Sequence, residues 1–183
     1  SNGLIIYPEN EQHIKATLEQ GCWTPLSLLG KDWAANLLDG AGSHFEVLHK
    51  GKLVGEVNWS QTGQHNVMNA LACIAAAHHV GILPKDSILA LNRFSGVKRR
   101  MELVCESQGI SVYDDFAHHP TAIKSTLAGI KNSGKFKRIW AVIEPRSNTM
   151  RLGVHKAALP DSIEDAQETI WFQPKGFDWQ LND

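Results

Sequence analysis

Two short segments contain most of the residues that could do chemistry. Residues 113–121 hold two aspartates and two histidines, and residues 144–150 hold an arginine among polar side chains. Each segment follows an apolar run, residues 110–113 for the first and 139–143 for the second. Ligands of open α/β sheets bind at the carboxyl ends of the strands. The two segments therefore predict a nucleotide or phosphate site, with a pair of polar surface turns as the alternative.

The first segment offers four ionisable side chains with more than one possible use. Asp114 and Asp115 could hold ribose hydroxyls or Mg²⁺, since carboxylates suit both, or they could cap the helix that follows. His118 and His119 could contact phosphate, act as an acid or a base, or simply pack. The residue types alone do not choose between these uses.

Three adjacent cations, Lys98, Arg99 and Arg100, lie upstream of the first segment. An arginine fork holds phosphate oxygens in a bidentate manner and stays charged at any useful pH. A run of cations is also typical of a solvated turn, so both interpretations remain open here.

A third candidate group, His65, Asn66 and Asn69, opens a predicted helix. Asn66 and Asn69 are three residues apart and share one helix face. A side-chain amide presents a donor and an acceptor, which match the N6/N7 edge of adenine. The alternative is that Asn66 caps the helix and Asn69 is an ordinary surface residue.

The elements that must position these residues fall into two parts. The first is expected to be irregular, with short strands at 4–7, 45–48 and 52–57, and then helices at 63–80 and 86–91. After a basic connector at 92–100, the second is expected to contain a hairpin (101–105 and 110–113), a helix (121–131, capped by Thr121), a buried strand (137–143), a helical stretch (156–165) and a strand (168–172). This alternation predicts an α/β fold with Rossmann-like parallel strands, divided into domains 1–91 and 92–183.

Composition narrows the class of protein. The 183 residues are 43% apolar and 20% charged, with a net charge of −1. This balance gives no general attraction to nucleic acid or to an acidic membrane. The three cysteines are widely spaced, which argues against disulfides or zinc and favours a reducing cytoplasm. Cys73 is expected to be buried, and Trp23, Trp33 and Trp59 are expected to pack the first part.

Residues 129–135 imitate a P-loop without being one. They have its glycine and lysine spacing, but Phe136 stands where a hydroxyl must reach Mg²⁺. The order is also helix then strand, the reverse of the order that a P-loop needs. These residues are therefore interpreted as a turn that ends a helix.

Taken together, the segments resemble the Mur ligase family, the ATP-dependent amide ligases of peptidoglycan synthesis. Residues 63–70, G-Q-H-N-V-M-N-A, are similar to a helix of the family's central domain. R-R-M-E at 99–102 and D-D-F-A-H-H-P-T at 114–121 are similar to the opening of its C-terminal domain. E-P-R-S-N-T-M at 144–150 is similar to the segment of members that add a ready-made murein tripeptide. Members that add L-alanine usually carry a Q-P-H-R-F type segment there.

The resemblance implies a bacterial cytoplasmic ligase that uses ATP and Mg²⁺. It would join the tripeptide L-alanyl-γ-D-glutamyl-meso-diaminopimelate to UDP-N-acetylmuramate through an acyl phosphate, in peptidoglycan recycling. The implied adenine contacts are His65, Asn66 and Asn69. The implied phosphate-side and nucleotide contacts, completed by domain closure, are Arg100, Asp115, His118 and His119. The implied contacts to the tripeptide or the phosphate edge are Arg146, Ser147, Asn148 and Thr149.

The resemblance also sets expectations for domain content. Family members have an N-terminal UDP-binding domain and a central P-loop, neither of which is found in this sequence. Residues 1–91 would then be the tail of the central ATP-binding domain, and residues 92–183 the beginning of the C-terminal domain. Such a segment is expected to be inactive alone. The alternatives are a segment of the L-alanine-adding ligase and a non-catalytic nucleotide-binding module.

Overall fold

The computed structural model describes residues 2–172, and the chain divides into two compact units, the first ending at Ser95 and the second beginning at Gly96. The division falls inside the predicted connector. The assignment of residues 1–91 and 92–183 to two particular domains stays a prediction, and the part beyond Phe172 lies outside the described residues.

The first unit is a five-stranded sheet covered by two helices. Its elements are β1 (Ile5–Pro8), α1 (Gln12–Leu18), β2 (Leu26–Leu29), β3 (Trp33–Leu37), β4 (His44–His49), β5 (Lys52–Asn58), α2 (Gln64–His79) and α3 (Pro84–Asn92). The strands lie in sequence order; β1, β2 and β3 pair parallel, whereas β3, β4 and β5 pair antiparallel. The apolar face of α2 packs Val67, Leu71 and Ile74 against Phe45 and Val57 of the sheet.

Glycine permits a close approach in this unit. Gly55 has φ +150°, and a Cβ there would meet Cδ1 of Ile88 at 2.9 Å. Its missing side chain therefore lets α3 lie against β5.

Several expectations for the first unit were wrong. Residues 1–60 are not irregular: short strands pair across the sequence into one sheet, which local patterns do not reveal. The helix α1 was missed because none of its seven residues is buried, so it has no apolar period. Cys73 is exposed, on the outer face of α2, and Trp23 is 97% exposed, whereas Trp33 is buried as expected.

The second unit combines a hairpin with a β–α–β arrangement. Its elements are β6 (Glu102–Ser107), β7 (Ile110–Asp114), α4 (Pro120–Asn132), β8 (Trp140–Ile143), α5 (Asn148–Arg151), a 3-10 turn (Lys156–Ala158), α6 (Leu159–Ser162) and β9 (Glu168–Trp171). Strands β6 and β7 pair antiparallel, and β8 and β9 pair parallel across the intervening helices. The parallel pair agrees with the predicted α/β class.

Helix α4 and strand β8 form the core of the second unit. Ile123 and Leu127 of α4 pack against Ile139, Ala141 and Met150. The buried strand predicted at 137–143 is confirmed on one face only: Ile139 and Ala141 are buried, whereas Trp140 and Val142 alternate with them and are exposed. The turn at residues 129–135 ends α4 as predicted, with Gly134 at φ +64°. Among residues 2–172, no helix is long and apolar enough to cross a bilayer.

Candidate functional site

The turn that carries the arginines is fastened to the loop after β7. The backbone N–H of Met101 donates to Oδ2 of Asp115 at 2.9 Å, and the N–H of Phe116 donates to the carbonyl of Arg99 at 2.8 Å. Arg99 and Met101 have φ values of 59° and 50°, in the left-handed region. These hydrogen bonds offset the strain of that conformation. They bring R-R-M-E and D-D-F-A, two motifs that are separate in the sequence, side by side.

Both carboxylate oxygens of Asp115 accept hydrogen bonds from backbone N–H groups. Besides the bond from Met101, its Oδ1 accepts from the N–H of Ala117 at 2.8 Å. A carboxylate has about four acceptor positions, so capacity for a ligand remains. The geometry nevertheless makes Asp115 first of all the residue that shapes the loop. Its neighbour Asp114 pairs with Arg99, whose Nε lies 3.3 Å from Oδ2.

The Nδ1 atoms of the two histidines play opposite parts in hydrogen bonds: that of His118 donates and that of His119 accepts. Nδ1 of His118 lies 2.9 Å from the carbonyl of Phe116, which only accepts, so this nitrogen carries a proton. In the neutral ring of His118, Nε2 is therefore an acceptor. Nδ1 of His119 instead accepts from the N–H of Thr121 at 3.3 Å, so the neutral ring carries its proton on Nε2.

His119 is also the N-cap of α4, which corrects the prediction of Thr121 as the cap. Pro120 follows it as the first helical residue, so the cap falls one position before the proline. The ring of His119 contacts that of His155 edge to face, with centroids 4.2 Å apart. No local pattern predicts a role for His155, because it lies in a turn between short helices and belongs to no recognisable motif.

The second segment meets the first through Ser147. Its hydroxyl donates to the backbone carbonyl of His118 at 3.3 Å. The same oxygen caps α5 by accepting from the N–H of Met150 at 3.3 Å. Buried Pro145 and Met150 flank this contact. The segments that follow β7 and β8 therefore meet, and the two candidate segments lie together on the second unit.

The remaining polar residues of the second segment are presented to solvent. Arg146 pairs with Glu144, with 3.0 Å between Nε and Oε1, and its side chain is 75% exposed. Thr149 lies beside Ser147, with 3.3 Å between the hydroxyl oxygens, and Asn148 is exposed. This patch offers one guanidinium, one amide and two hydroxyls, groups that suit carboxylates and peptide bonds.

The third candidate group lies at the start of α2 in the first unit. Gly63, with φ 93°, is the N-cap, so the interpretation of Asn66 as a cap was wrong. The Asn66 amide instead donates back to the carbonyl of Thr62 at 2.8 Å, which leaves its oxygen and one N–H for another partner. His65 and Asn69 are exposed beside it.

Potential metal ligands do not cluster. Within residues 2–172, no three His, Cys, Asp or Glu side chains are close enough to hold a metal ion. The two aspartates of the loop are engaged by backbone amides and by Arg99. The described residues therefore form no ready-made metal cage; Mg²⁺ is commonly held by one or two carboxylates together with substrate phosphates, so it would need the nucleotide as a partner here.

Comparisons with known proteins point in one direction. Residues 99–178 match the family model of the Mur ligase, glutamate ligase domain. The chain is 48% identical over 182 residues to the UDP-N-acetylmuramate–L-alanyl-γ-D-glutamyl-meso-2,6-diaminoheptandioate ligase of Escherichia coli K12, which covers 98% of this chain and 40% of that protein. The sequence is also 45% identical to that of a murein peptide ligase from Psychrobacter arcticus, whose crystal structure matches this fold with a TM-score of 0.70. The match covers 98% of this chain and 39% of that one.

A relative named for a different activity is less similar. The UDP-N-acetylmuramate–L-alanine ligase of Desulforapulum autotrophicum is 34% identical over 148 residues, covering 78% of this chain and 32% of that protein. The chain thus spans 40% of the length of the Escherichia coli protein and less of this one.

Proposed function

Since the chain belongs to the Mur ligase family, we propose that it forms part of an ADP-forming ligase that joins L-alanyl-γ-D-glutamyl-meso-diaminopimelate to UDP-N-acetylmuramate through an acyl phosphate. The reaction would belong to peptidoglycan recycling in the bacterial cytoplasm. The preference for a tripeptide over L-alanine is supported by 48% identity to a ligase named for that tripeptide against 34% to an L-alanine ligase.

The observation that carries the proposal is the hydrogen bond from Ser147 to the carbonyl of His118. It joins E-P-R-S-N-T-M to D-D-F-A-H-H-P-T, so groups suited to a peptide lie beside groups suited to a phosphate. An amide ligase needs both at one place, because the amine of one substrate must meet the activated carboxyl of the other.

The opposite polarity of the two histidines suits acyl transfer. The acceptor Nε2 of neutral His118 is in the state that takes a proton from an attacking amine. The donor Nε2–H of neutral His119 is in the state that stabilises charge on a phosphoryl oxygen. Arg100, which has no acidic partner among residues 2–172, would meet nucleotide phosphate.

The patch beside the histidines would receive the tripeptide, which carries three carboxylates. Arg146 would bind one of them, since a guanidinium pairs with a carboxylate in a bidentate manner. Ser147, Asn148 and Thr149 would hydrogen-bond the peptide. Glu144 pairs with Arg146 through Nε, whereas a substrate carboxylate could meet the Nη groups of the guanidinium.

Adenine recognition would fall to His65, Asn66 and Asn69 of the first unit. The free oxygen and N–H of Asn66 provide the acceptor and donor that an adenine edge requires. Asp115 would act indirectly, by holding the turn that carries Arg100. Since no three potential metal ligands cluster among residues 2–172, no metal ligand is assigned among them.

The test is ADP release by a complete ligase carrying residues 1–183, with UDP-N-acetylmuramate and either the tripeptide or L-alanine. We expect turnover with the tripeptide, and a marked loss in Arg100→Ala but not in the matched control Lys98→Ala. Turnover with L-alanine alone would favour the L-alanine-adding ligase. ATP binding without turnover of either amine would favour the non-catalytic module. Residues 1–183 alone should not ligate, because their sequence contains no P-loop.

A further inference from the structure

One aromatic ring gathers three of the cationic or ionisable side chains of the second unit. The guanidinium carbons of Arg99 and Arg100 lie 5.2 Å and 5.5 Å from the ring centroid of Phe116. The ring of His118 meets the same ring edge to face, with centroids 5.0 Å apart. Phe116 is itself 46% exposed, so it is not simply part of the apolar core.

The two arginines depend on this ring to different degrees. Arg99 also pairs with Asp114, and its backbone is held by Glu102 and by the N–H of Phe116. Among residues 2–172, the guanidinium of Arg100 has no ion pair or side-chain hydrogen bond, and it lies over the ring of Phe116. The backbone N–H of Arg100 donates to Val97 at 3.0 Å, which fixes the main chain but not the long side chain. Among the described residues, Phe116 is therefore the group placed to orient this guanidinium.

An aromatic face suits this task better than a carboxylate. It attracts a guanidinium without neutralising its charge, so the donors at the edge of the fork stay available for an anion. A carboxylate would orient Arg100 equally well but would compete with phosphate for the same N–H groups. Restricting the side chain before the ligand arrives also reduces the entropy lost on binding.

We propose that Phe116 is a positioning residue that holds the guanidinium of Arg100 ready for a nucleotide phosphate and steadies His118 beside it. The inference rests on the proposed function in one respect, the identity of the anion. The positioning itself is a property of this chain, and it can be measured without any ligand.

The first test is nuclear magnetic resonance of the arginine side chains of residues 1–183. Phe116→Leu removes the aromatic face but keeps an apolar side chain, and Phe116→Tyr is the conservative control. We expect the Nε–H group of Arg100 to lose order in Phe116→Leu and to keep it in Phe116→Tyr, while backbone amide shifts away from residues 97–118 stay unchanged in both. Equal order in all three proteins would overturn the positioning role.

The second test is a double-mutant cycle in a complete ligase carrying these residues, measured as the KM for ATP. Phe116→Leu should raise that KM about 2- to 5-fold, the effect of losing an exposed cation–π contact. In an Arg100→Ala background the same change should have no further effect, because its target is gone. Additive effects would overturn the inference. An unchanged KM in Arg100→Ala, with order lost in Phe116→Leu, would support the positioning but reject the proposed nucleotide contact.

Discussion

Asp115 reaches from the end of β7 to Met101, whose backbone N–H lies 2.9 Å from Oδ2. The contact spans 14 residues of sequence and holds the turn that presents Arg100. Asp115 was expected to contact nucleotide. Together with the hydrogen bond from Ala117, this contact with Met101 shows that its carboxylate links two sequence motifs.

This link predicts a stability effect for Asp115→Asn. The amide has one acceptor oxygen instead of two, so either Met101 or Ala117 loses its hydrogen-bond partner. We expect the free energy of unfolding to fall by about 1–2 kcal/mol, measured by urea denaturation of residues 1–183. The matched control is Asp114→Asn, which removes only an exposed pair with Arg99 and should cost less than about 1 kcal/mol. Equal losses in the two variants would contradict the assignment.

The cap of α4 can be separated from the chemistry of its imidazole. His119→Ala removes the acceptor for the N–H of Thr121 and should lower the free energy of unfolding by about 1 kcal/mol. His119→Asn restores an acceptor at the cap and should be close to wild type in stability. If the complete ligase with His119→Asn keeps its stability but loses turnover, the ring itself takes part in the reaction. Full turnover in that variant would remove His119 from the catalytic candidates.

Ser147 is predicted to couple two segments. Ser147→Ala removes both the cap of α5 and the bond to the carbonyl of His118. Hydrogen exchange should therefore accelerate at Met150 and also across residues 116–119. Asn148→Ala, a change at an exposed neighbour, is the control and should leave both regions protected. Faster exchange at Met150 alone would show that the bond to His118 contributes nothing in solution.

The first unit is predicted to lose stability in mild acid. The ring of His49 stacks on Trp33, with centroids 4.0 Å apart, and meets His78 at 5.0 Å. Burial, followed by the charges of His78 and Lys50, lowers the pKa of His49 from 6.5, whereas Asp32 acts in the opposite direction. The imidazole of His49 therefore takes up a proton near pH 6.5 in the unfolded chain and only at a lower pH in the folded chain, so stability falls as the pH drops below 6.5.

The measurement is urea denaturation at pH 7.5 and 5.5, followed by tryptophan fluorescence. His49→Phe keeps a ring on Trp33 but cannot titrate, so its stability should fall less between the two pH values. If the free energy of unfolding falls equally in wild type and in His49→Phe, the acid sensitivity does not come from His49.

Elements with a strong local period were predictable. The helix expected at 63–80 is α2, Gln64–His79, because Val67, Leu71 and Ile74 repeat on one face. The strands expected at 45–48 and 52–57 are β4 and β5, which pair antiparallel around a turn with Lys50 and Gly51 at positive φ. By contrast, α1 and α5 were missed: one buries no residue and the other has four residues, so neither leaves a periodic signal.

The sequence by itself determined the family and the kinds of chemistry available, because residue types and short motifs are local properties. It placed two polar segments at strand ends, and the hydrogen bond from Ser147 to His118 joins them. Only the tertiary structure decided how each group is used: Asp115 serves the backbone, His119 caps a helix, and Phe116 orients Arg100. These roles depend on partners that are distant in sequence or on backbone geometry, and the residue type specifies neither.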